Sequence, residues 1–277
     1  MDLKLLAEKV SEVYAQNSKI EAVLLGGSVS RKWNDEHSDI ELFLFWKEPP
    51  TNEDRKNPIQ TVKGKIIDFH PFEDEEWSET YVAHGVKFEI SSFLTSTIKK
   101  ILNAVVVDFD IDFDKQCLAA AVHDGIPLYG INLLTELKNK VKDYPKELSI
   151  EMIKKHINFG NRWNNRDALL ERQDWLMLYS VIVSVQTNLM AILFGLNRQY
   201  VHHPAFKWQR RSLETMTKIP KDAYQRLSSI LLGHPRDGIN EMEKIIEEVF
   251  QLITNEYPLL NLSDARDKAL FLRPKNE

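Results

Sequence analysis

The chain has 277 residues, of which 43% are hydrophobic and 28% charged, a composition typical of a globular protein with one large domain or two smaller ones. Its net charge of −5 argues against a protein that holds long nucleic acid, since such proteins usually carry a basic excess. The single cysteine, Cys117, excludes an internal disulfide bond and is typical of proteins in the reducing cytosol. We therefore expect a cytoplasmic protein in which Cys117 is a small buried residue.

The amino terminus is predicted to be part of the fold. Charges are spread through its first ten residues, which lack the apolar core and the cleavage site of a signal peptide. Apolar residues recur at helical spacing, at Leu3, Leu6, Val10 and Val13. This spacing predicts an amphipathic helix that leads into a strand beginning at Ala22.

The stretch 21–46 predicts a strand, a glycine turn, a short helix and a second strand. Side chains alternate across a strand, so Asp39 and Glu41 lie together on one face. Two neighbouring carboxylates are costly to bury unless a cation or a proton compensates them. Mg²⁺ prefers oxygen ligands, usually a few carboxylates and the phosphates of a substrate. The pair therefore predicts a metal site that binds a nucleotide.

The glycine turn predicts the phosphate-binding half of the same site. Glycine lets the backbone approach an anion closely, and the hydroxyl of Ser28 beside Gly27 adds a donor. A P-loop is excluded because the Gly-Lys-Ser/Thr sequence is missing, and a dinucleotide fingerprint is excluded because the third glycine is missing.

The phrase GGSVSRKWNDEHSDIEL at 26–42 resembles the signature of the DNA polymerase beta-like nucleotidyltransferase superfamily, in which a Gly-Ser turn and a helix precede an acidic-x-acidic strand. Within that group it is most similar to bacterial aminoglycoside and lincosamide nucleotidyltransferases and their uncharacterised relatives. The resemblance covers the first half of the chain well and the rest loosely. It implies a Mg²⁺ or Mn²⁺ ion held by Asp39 and Glu41, and a nucleoside triphosphate bound by Gly27, Ser28 and Arg31.

A two-metal phosphoryl-transfer site needs a third carboxylate near the incoming hydroxyl, as a metal ligand or a general base. The sequence offers Asp68 in a predicted strand at 62–70 and Glu89 in a predicted strand at 85–90. In the resembled family the third acid commonly lies on a strand that runs directly into a helix, and residues 92–102 after Glu89 are helix-like. This favours Glu89 as a metal ligand and catalytic residue, with Asp68 as the alternative.

The remaining segments of the first half are interpreted from their polar residues. Residues 47–54 contain two prolines and no periodicity, so we expect an exposed, mobile loop. Acidic residues at alternate positions from Asp108 to Asp114 do not make an EF-hand loop, because its glycine and terminal glutamate are missing. We expect an acidic loop there, followed by a helix to Val122 and a last strand before Gly130.

Beyond Gly130 the chain changes to long helical periodicities with few strand signals. The apolar run Trp175–Leu196 is long enough to span a membrane, but it contains several polar residues, so we interpret it as the central helix of a bundle. His202 and His203 with His156 do not predict a zinc site, because no second pair lies at metal spacing.

Two further groups in the helical half have alternative interpretations. Arg162, Trp163 and Arg166 could contact a ligand, but at helical spacing they are more typical of an exposed or interdomain face. The stretch 196–208 looks like an element of the helical half of the resembled family, in which a lysine facing the cleft can reach the triphosphate. The resemblance therefore makes Lys207 a candidate phosphate ligand, with an ordinary solvated lysine as the alternative.

These patterns predict an α+β protein, with a mixed-sheet nucleotidyltransferase domain at 1–130, an all-α acceptor-binding domain at 131–277 and the active site in the cleft between them. The resemblance implies transfer of a nucleoside monophosphate, by preference AMP, to a hydroxyl of a small-molecule acceptor, with antibiotics among the candidates. Glu89 would orient or deprotonate that hydroxyl. A catalytically silent nucleotide-binding module and an antitoxin-like partner protein stay open as alternatives. The acceptor and the oligomeric state are not determined by the sequence.

Overall fold

The computed structural model describes residues 2–275, and the chain divides into two compact units, Met1–Asp143 and Tyr144–Glu277. The first unit contains a mixed sheet with helices, whereas the regular structure described in the second unit is helical. The predicted fold class, a mixed α+β sheet domain followed by a helical region, is therefore confirmed.

Six strands form one sheet among the described residues: β1 Ile20–Leu25, β2 Ile40–Trp46, β3 Lys65–Phe69, β4 Trp77–Ala83, β5 Val86–Leu94 and β6 Ile126–Tyr129. Their order across the sheet is β3-β4-β5-β2-β1-β6. The pair β2–β5 is parallel and the other neighbouring pairs are antiparallel. The parallel pair lies in the middle of the sheet and brings two acidic segments side by side.

The helices described in the first unit are α1 Leu3–Tyr14, α2 Gly27–Ser30, α3 Asn52–Thr61, α4 Thr95–Val106, α5 Phe113–Asp124 and α6 Ile131–Val141. One face of the sheet packs on α1 and α3, where Val10 and Ile59 share a buried cluster with Leu42 of β2. Leu24 of β1 lies instead beside Gly125, at the end of α5. Because side chains alternate along a strand, Glu41 faces away from the cluster that contains Leu42.

Helix α6 belongs with the first unit. It contacts β1, α4 and α5, and Lys138 on α6 donates to three backbone carbonyls at the end of α5, at 2.7–2.8 Å. These contacts explain why the compact unit extends to Asp143. The change of periodicity at Gly130 marks the start of α6, and the division between the two units lies after this helix.

Two elements of the first unit were not predicted from the sequence. Helix α3 begins at Asn52, inside the stretch 47–54 that was expected to be a loop. Thr51 and Asp54 form a capping box at its start, which satisfies two of the free backbone amides of the first turn. Strand β4 was also missed, although its burial alternates over most of its length. The loop prediction is therefore wrong from Asn52 onward.

The helices described in the second unit are α7 Lys146–His156, α8 Arg166–Glu171, α9 Trp175–Leu196, α10 Gln209–Glu214, α11 Ala223–Leu232, α12 Pro235–Glu256 and α13 Ser263–Leu270. A short 3₁₀ turn at Trp163–Asn165 precedes α8. Helix α12 is amphipathic and buries one face from Ile239 to Ile253, as the apolar periodicity predicted.

Helix α9 packs inside the second unit. By length and composition it could cross a membrane, with a mean hydropathy of 1.8 in its most apolar window. However, 56% of that window is buried within the protein, and α9 contacts α7, α8 and α12. A long apolar helix that is mostly buried is typical of a globular core. These contacts agree with the predicted central helix of a bundle.

Candidate functional site

The glycine turn joins β1 to α2 and lies against β2. The amide of Gly26 donates to the carbonyl of Glu41 at 2.9 Å, which ties the turn to the strand that carries the acids. Gly27 adopts a φ of +63°, in the left-handed region that favours glycine. A Cβ atom at Gly27 would overlap the carboxylate of Glu41. Glycine therefore allows the turn and the Glu41 side chain to be direct neighbours.

Arg31 supports this turn. Its guanidinium donates to the carbonyl of Gly27 at 3.2 Å and to Asp124 at 2.8 Å, and the hydroxyl of Ser30 donates to the same carbonyl at 3.0 Å. Burial would raise the pKa of Asp124, but hydrogen bonds and charge from His123 and Arg31 outweigh it, and the pKa is lowered. The structure shows Arg31 holding the turn, and its contact with a nucleotide stays a prediction.

Ser28 follows Gly27 in the single turn of α2 and is 7% exposed. Its carbonyl accepts a hydrogen bond from the amide of Trp33 at 2.9 Å. The Gly27–Ser28 segment is thus fixed by backbone contacts beside Glu41. The binding of a phosphate by these two residues stays a prediction.

The parallel pairing of β2 with β5 brings three carboxylates together. Its register sets Glu41 directly opposite Glu89, and neighbouring strands lie about 4.8 Å apart. Asp39 immediately precedes β2 and shares this face, because it is two residues from Glu41. Asp39, Glu41 and Glu89, here called the acidic triad, each offer an oxygen within 4.8 Å of the others, and all three are partly buried.

Lys87 lies on the same face as the acidic triad. Ile40 pairs with Phe88, so Asp39 and Lys87 occupy the preceding positions of the two strands. The ammonium group of Lys87 hydrogen-bonds the carboxylate of Glu89 and lies 3.5 Å from Oδ2 of Asp39. The hydrogen bond to Glu89 is the main cause that raises the pKa of Lys87, so the group carries its charge at neutral pH. Sequence reasoning missed Lys87, although its two-residue spacing from Glu89 places both on one face.

The donor set of the acidic triad fits a hard divalent cation. Mg²⁺ binds carboxylate oxygens at about 2.1 Å in octahedral geometry, so two oxygens on one ion are at most about 4.2 Å apart. The spread of the triad oxygens, within 4.8 Å, needs only small side-chain rotations to meet this limit. Its ligands are oxygens without sulfur or imidazole, which suits Mg²⁺ or Mn²⁺ better than zinc. The residues present therefore fit the ion that the sequence predicted.

Asp68, the alternative third acid, lies farther along the same row of the sheet. It pairs with Thr80, which in turn pairs with Glu89, so β4 separates the two acids. Two strand spacings correspond to about 10 Å. Asp68 is exposed on β3, the strand at the edge of the sheet. The structure therefore brings Glu89, and not Asp68, beside Asp39 and Glu41.

The strand that carries Glu89 has the predicted connection. It ends at Leu94, and α4 begins at the next residue, Thr95. Phe88 and Ile90 on either side of Glu89 are buried, so the strand is anchored on one face and presents Glu89 on the other. The strand-to-helix context of Glu89 is confirmed, and its role in catalysis stays a prediction.

The acidic residues before α5 stabilise the start of that helix. Asp112 accepts a hydrogen bond from the amide of Lys115 at 3.0 Å, and Asp110 pairs with the Lys115 ammonium at 2.5 Å. These contacts give the acidic residues of the expected loop a role in stabilising the first turn of α5. On the same helix, burial raises the pKa of Cys117 to about 12. Cys117 is partly buried, whereas a fully buried residue was expected from the sequence, and it remains a protonated thiol.

Two histidines considered as zinc ligands make other contacts in the second unit. Nδ1 of His156 lies 2.7 Å from the side-chain oxygen of Asn188, and Nε2 of His202 lies 2.8 Å from the hydroxyl of Ser212. In the part of the chain that the structure describes, neither histidine belongs to a cluster of side chains that could share one metal ion. The exclusion of zinc stays a prediction from the sequence.

Trp163 and Arg166 are buried within the second unit. Arg166 donates to Glu243 at 2.7 Å, and its guanidinium stacks 4.6 Å from the centre of the Trp163 ring. The indole N–H of Trp163 donates to the carbonyl of Ala269 at 2.9 Å. These contacts join α8 to α12 and the preceding 3₁₀ turn to α13. The expectation of an exposed or interdomain face is therefore wrong for Trp163 and Arg166, whereas Arg162 is exposed.

Lys207 is exposed in the loop between α9 and α10. Its neighbours Phe206 and Trp208 have positive φ angles of 52° and 64°, so this loop turns sharply at both positions. Lys207 belongs to the second unit, and its contact with a triphosphate stays a prediction from the resemblance.

The chain is similar to one family model and to several solved structures. The model of a family described as a domain of unknown function, DUF4037, matches residues 111–209, a segment that is carboxy-terminal to the acidic triad. No curated protein matches the chain. The solved structures that match include a nucleotidyltransferase-like protein from Exiguobacterium sibiricum 255-15, with a TM-score of 0.42 and 13% identity over 95% of this chain and 78% of that chain. At this level of similarity, function has to be argued from the geometry of the site.

Proposed function

We propose that this protein is a metal-dependent nucleotidyltransferase, which moves a nucleoside monophosphate from a triphosphate to the hydroxyl of a small-molecule acceptor. The observation that carries the proposal is the acidic triad on two adjacent parallel strands, with the Gly27–Ser28 turn packed directly against Glu41. Carboxylates and a glycine turn placed together are the two parts that a site for a metal-bound triphosphate requires.

The acidic triad would hold one or two Mg²⁺ or Mn²⁺ ions. When bound, the metal neutralises the charge of the triphosphate and of the transition state. Asp39 and Glu41 act as ligands from one strand, and Glu89 faces them from the neighbouring strand. Since the two strands are hydrogen-bonded in the middle of the sheet, the carboxylates are held in position before any ligand arrives.

The turn and the third acid supply the remaining chemistry. Gly27 and Ser28 bind the phosphates through backbone amides and the serine hydroxyl, while Arg31 keeps the turn in shape. Glu89 accepts the proton of the acceptor hydroxyl as its oxygen attacks the α-phosphorus. A new phosphorus–oxygen ester bond forms, the bond between the α-phosphorus and the bridging oxygen breaks, and pyrophosphate leaves.

The proposed donor and acceptor follow from the resemblance given above. We take ATP as the donor, because AMP transfer is what the resemblance favours. The acceptor is a hydroxyl compound, with aminoglycosides and lincosamides as the first candidates and protein or tRNA hydroxyls as the next.

The alternative of a catalytically silent module is less well supported. Such a module would be expected to lack a third acid beside the metal pair, and Glu89 lies at this position. A partner protein of the antitoxin type would be expected to purify in a stable complex with another chain. Neither alternative requires three carboxylates on one face of the sheet, whereas a two-metal phosphoryl-transfer site uses a third carboxylate beside the first two.

The proposal is tested by an acceptor screen with the full chain. Each of the four ribonucleoside triphosphates, labelled at the α-phosphate, is incubated with Mg²⁺ or Mn²⁺ and a panel of hydroxyl acceptors. We expect label on one acceptor class with the wild type and none with Asp39→Asn combined with Glu41→Gln. Triad-dependent binding of a triphosphate without transfer to any acceptor in the panel would favour the silent module.

A further inference from the structure

Lys87 lies where a cation is needed on the face of the acidic triad. In the register of β2 with β5, Asp39 and Lys87 form one row and Glu41 and Glu89 form the next. The lysine reaches both of its neighbouring acids, with a hydrogen bond to Glu89 and an approach of 3.5 Å to Asp39. One cation beside the acidic triad is therefore supplied by the protein itself.

The charges of this group decide how it responds to metal. Three carboxylates and one ammonium carry a formal charge of −2, which a single divalent cation neutralises. A metal ion that binds Asp39 and Glu89 needs the same two carboxylates that Lys87 contacts. The lysine and the metal therefore compete for these carboxylates, and like charges a few ångströms apart repel.

We propose that Lys87 is a positioning residue that holds the acidic triad together without metal and lowers its affinity for the free divalent cation, so that the cation binds well only together with a triphosphate. This inference rests on the proposed function. The inference goes beyond that function because it assigns to Lys87 the coupling of metal binding to nucleotide binding. The triphosphate supplies the negative charge that compensates for the ammonium group, so the metal–nucleotide complex is favoured over the metal alone.

The direction of the effect separates this role from ordinary stabilisation. If Lys87 only supported the fold, its removal would weaken metal binding or leave it unchanged. If Lys87 competes with the metal, removing its charge must strengthen binding of the metal alone. The side chain is 47% exposed, so solvent reduces the effect, and we expect the affinity to rise by about tenfold.

The test is a titration of the full chain with Mn²⁺ alone, at fixed pH and ionic strength. Calorimetry, or the electron paramagnetic resonance signal of the free ion, measures the binding. The variants are Lys87→Met and Lys87→Gln, which remove the charge, and Lys87→Arg, which keeps it. Asp39→Asn combined with Glu41→Gln shows whether binding depends on the acidic triad. The matched control is Lys154→Met, because Lys154 is 51% exposed and pairs with Glu151 in the second unit. Thermal unfolding of each variant checks that the fold is intact.

We expect Lys87→Met and Lys87→Gln to bind Mn²⁺ about tenfold more tightly than the wild type, and Lys87→Arg and Lys154→Met to resemble it. In addition, a triphosphate should increase Mn²⁺ affinity less in Lys87→Met than in the wild type. If binding depends on the acidic triad but is unchanged or weaker in both neutral variants, the inference is overturned and the proposed metal site stands. If Mn²⁺ affinity does not depend on the acidic triad in the wild type or in any Lys87 variant, the proposed metal site fails, and the inference fails with it.

Discussion

Glu41 and Glu89 lie directly opposite each other in the parallel pairing of β2 and β5, on strands that are far apart in the sequence. This register places the third carboxylate beside the predicted pair and leaves Asp68 two strands away. Because a shift by one residue would turn Glu89 to the opposite face of the sheet, the pairing itself determines which acid can act with Asp39 and Glu41.

The first prediction separates the two candidate third acids. Glu89→Gln keeps nearly the same shape and leaves Asp39 and Glu41, so a triphosphate should still bind, while transfer falls by about a hundredfold or more because the general base is lost. Asp68→Asn should change transfer little. Single-turnover release of pyrophosphate measures both variants. Full activity of Glu89→Gln together with an inactive Asp68→Asn would assign the third carboxylate to β3.

A second prediction concerns the contact between the turn and the triad. Gly27→Ala introduces a methyl group where the Glu41 carboxylate lies and forces alanine into a positive φ. We expect a loss of stability of about 1–2 kcal/mol from the backbone and, in addition, weaker Mn²⁺ binding because Glu41 is displaced.

The matched control for this prediction is Gly85→Ala. Gly85 also has a positive φ, +77°, but a Cβ atom there would meet nothing within 4 Å. The Gly85→Ala variant should lose a similar amount of stability and should bind Mn²⁺ like the wild type. Equal Mn²⁺ affinity in Gly27→Ala and Gly85→Ala would show that the packing of Gly27 on Glu41 does not matter for the site.

A third prediction concerns the buried ion pair between Arg55 of α3 and Glu79 of β4. Arg55 and Glu79 are each 1% exposed, and the guanidinium donates to the Glu79 carboxylate at 2.6 and 2.8 Å. Arg55→Met should destabilise the first unit by about 3–5 kcal/mol, because it leaves a buried carboxylate without its partner. Replacing both, with Arg55→Met and Glu79→Leu, should recover much of this loss.

This comparison is made by denaturant unfolding of the full chain, with hydrogen exchange of α3 and β4 amides to assign the transition to the first unit. If the double variant loses as much free energy of unfolding as the two single variants lose together, the unpaired charge is not the main cost, and the interpretation is contradicted.

The fourth prediction is a dependence on pH that arises at the start of α3. Partial burial would raise the pKa of Asp54, but hydrogen bonds from Thr51, Lys19 and Asn17 lower it to about 2. Because the pKa in the folded protein lies below that in the unfolded chain, the carboxylate stabilises the fold above pH 4 or so, and this contribution is lost as the pH falls toward 2.

Asp54→Asn should therefore melt at a lower temperature than the wild type at pH 7, and the difference should shrink to near zero at about pH 2. Glu53→Gln is the control, because Glu53 is exposed one residue earlier on the same helix. Thermal unfolding measured by circular dichroism follows both variants. A difference for Asp54→Asn that stays constant across this range would rule out the charged carboxylate as its cause.

Much of the first unit could be predicted from local patterns. The turn at Gly27, the pair Asp39 and Glu41, and the strand that carries Glu89 lie in short segments whose periodicity is readable, and the structure has β1, β2 and β5 around them as predicted. Helix α3 was missed because two prolines precede it, although Thr51 and Asp54 give a capping signal at its start.

The features that were missed depend on contacts between distant segments. Lys87 reaches Asp39 only because β2 pairs with β5 in one particular register, and no local pattern specifies this register. Arg166 was expected on an accessible face, but its partner Glu243 lies on α12, far along the chain. Charged residues at helical spacing do not reveal a buried partner in another helix.

The most direct test of the account is the metal dependence of triphosphate binding. Isothermal titration calorimetry measures ATP binding to the full chain in Mg²⁺, in Mn²⁺ and in excess chelator, for the wild type and for Asp39→Asn combined with Glu41→Gln. Since the carboxylates and the phosphates repel each other without a cation, we predict binding by the wild type with Mg²⁺ or Mn²⁺ that is lost in chelator and in the double variant. Equal affinity in chelator and in Mg²⁺, or metal-dependent binding that the double variant retains, would contradict a triphosphate site built on the acidic triad.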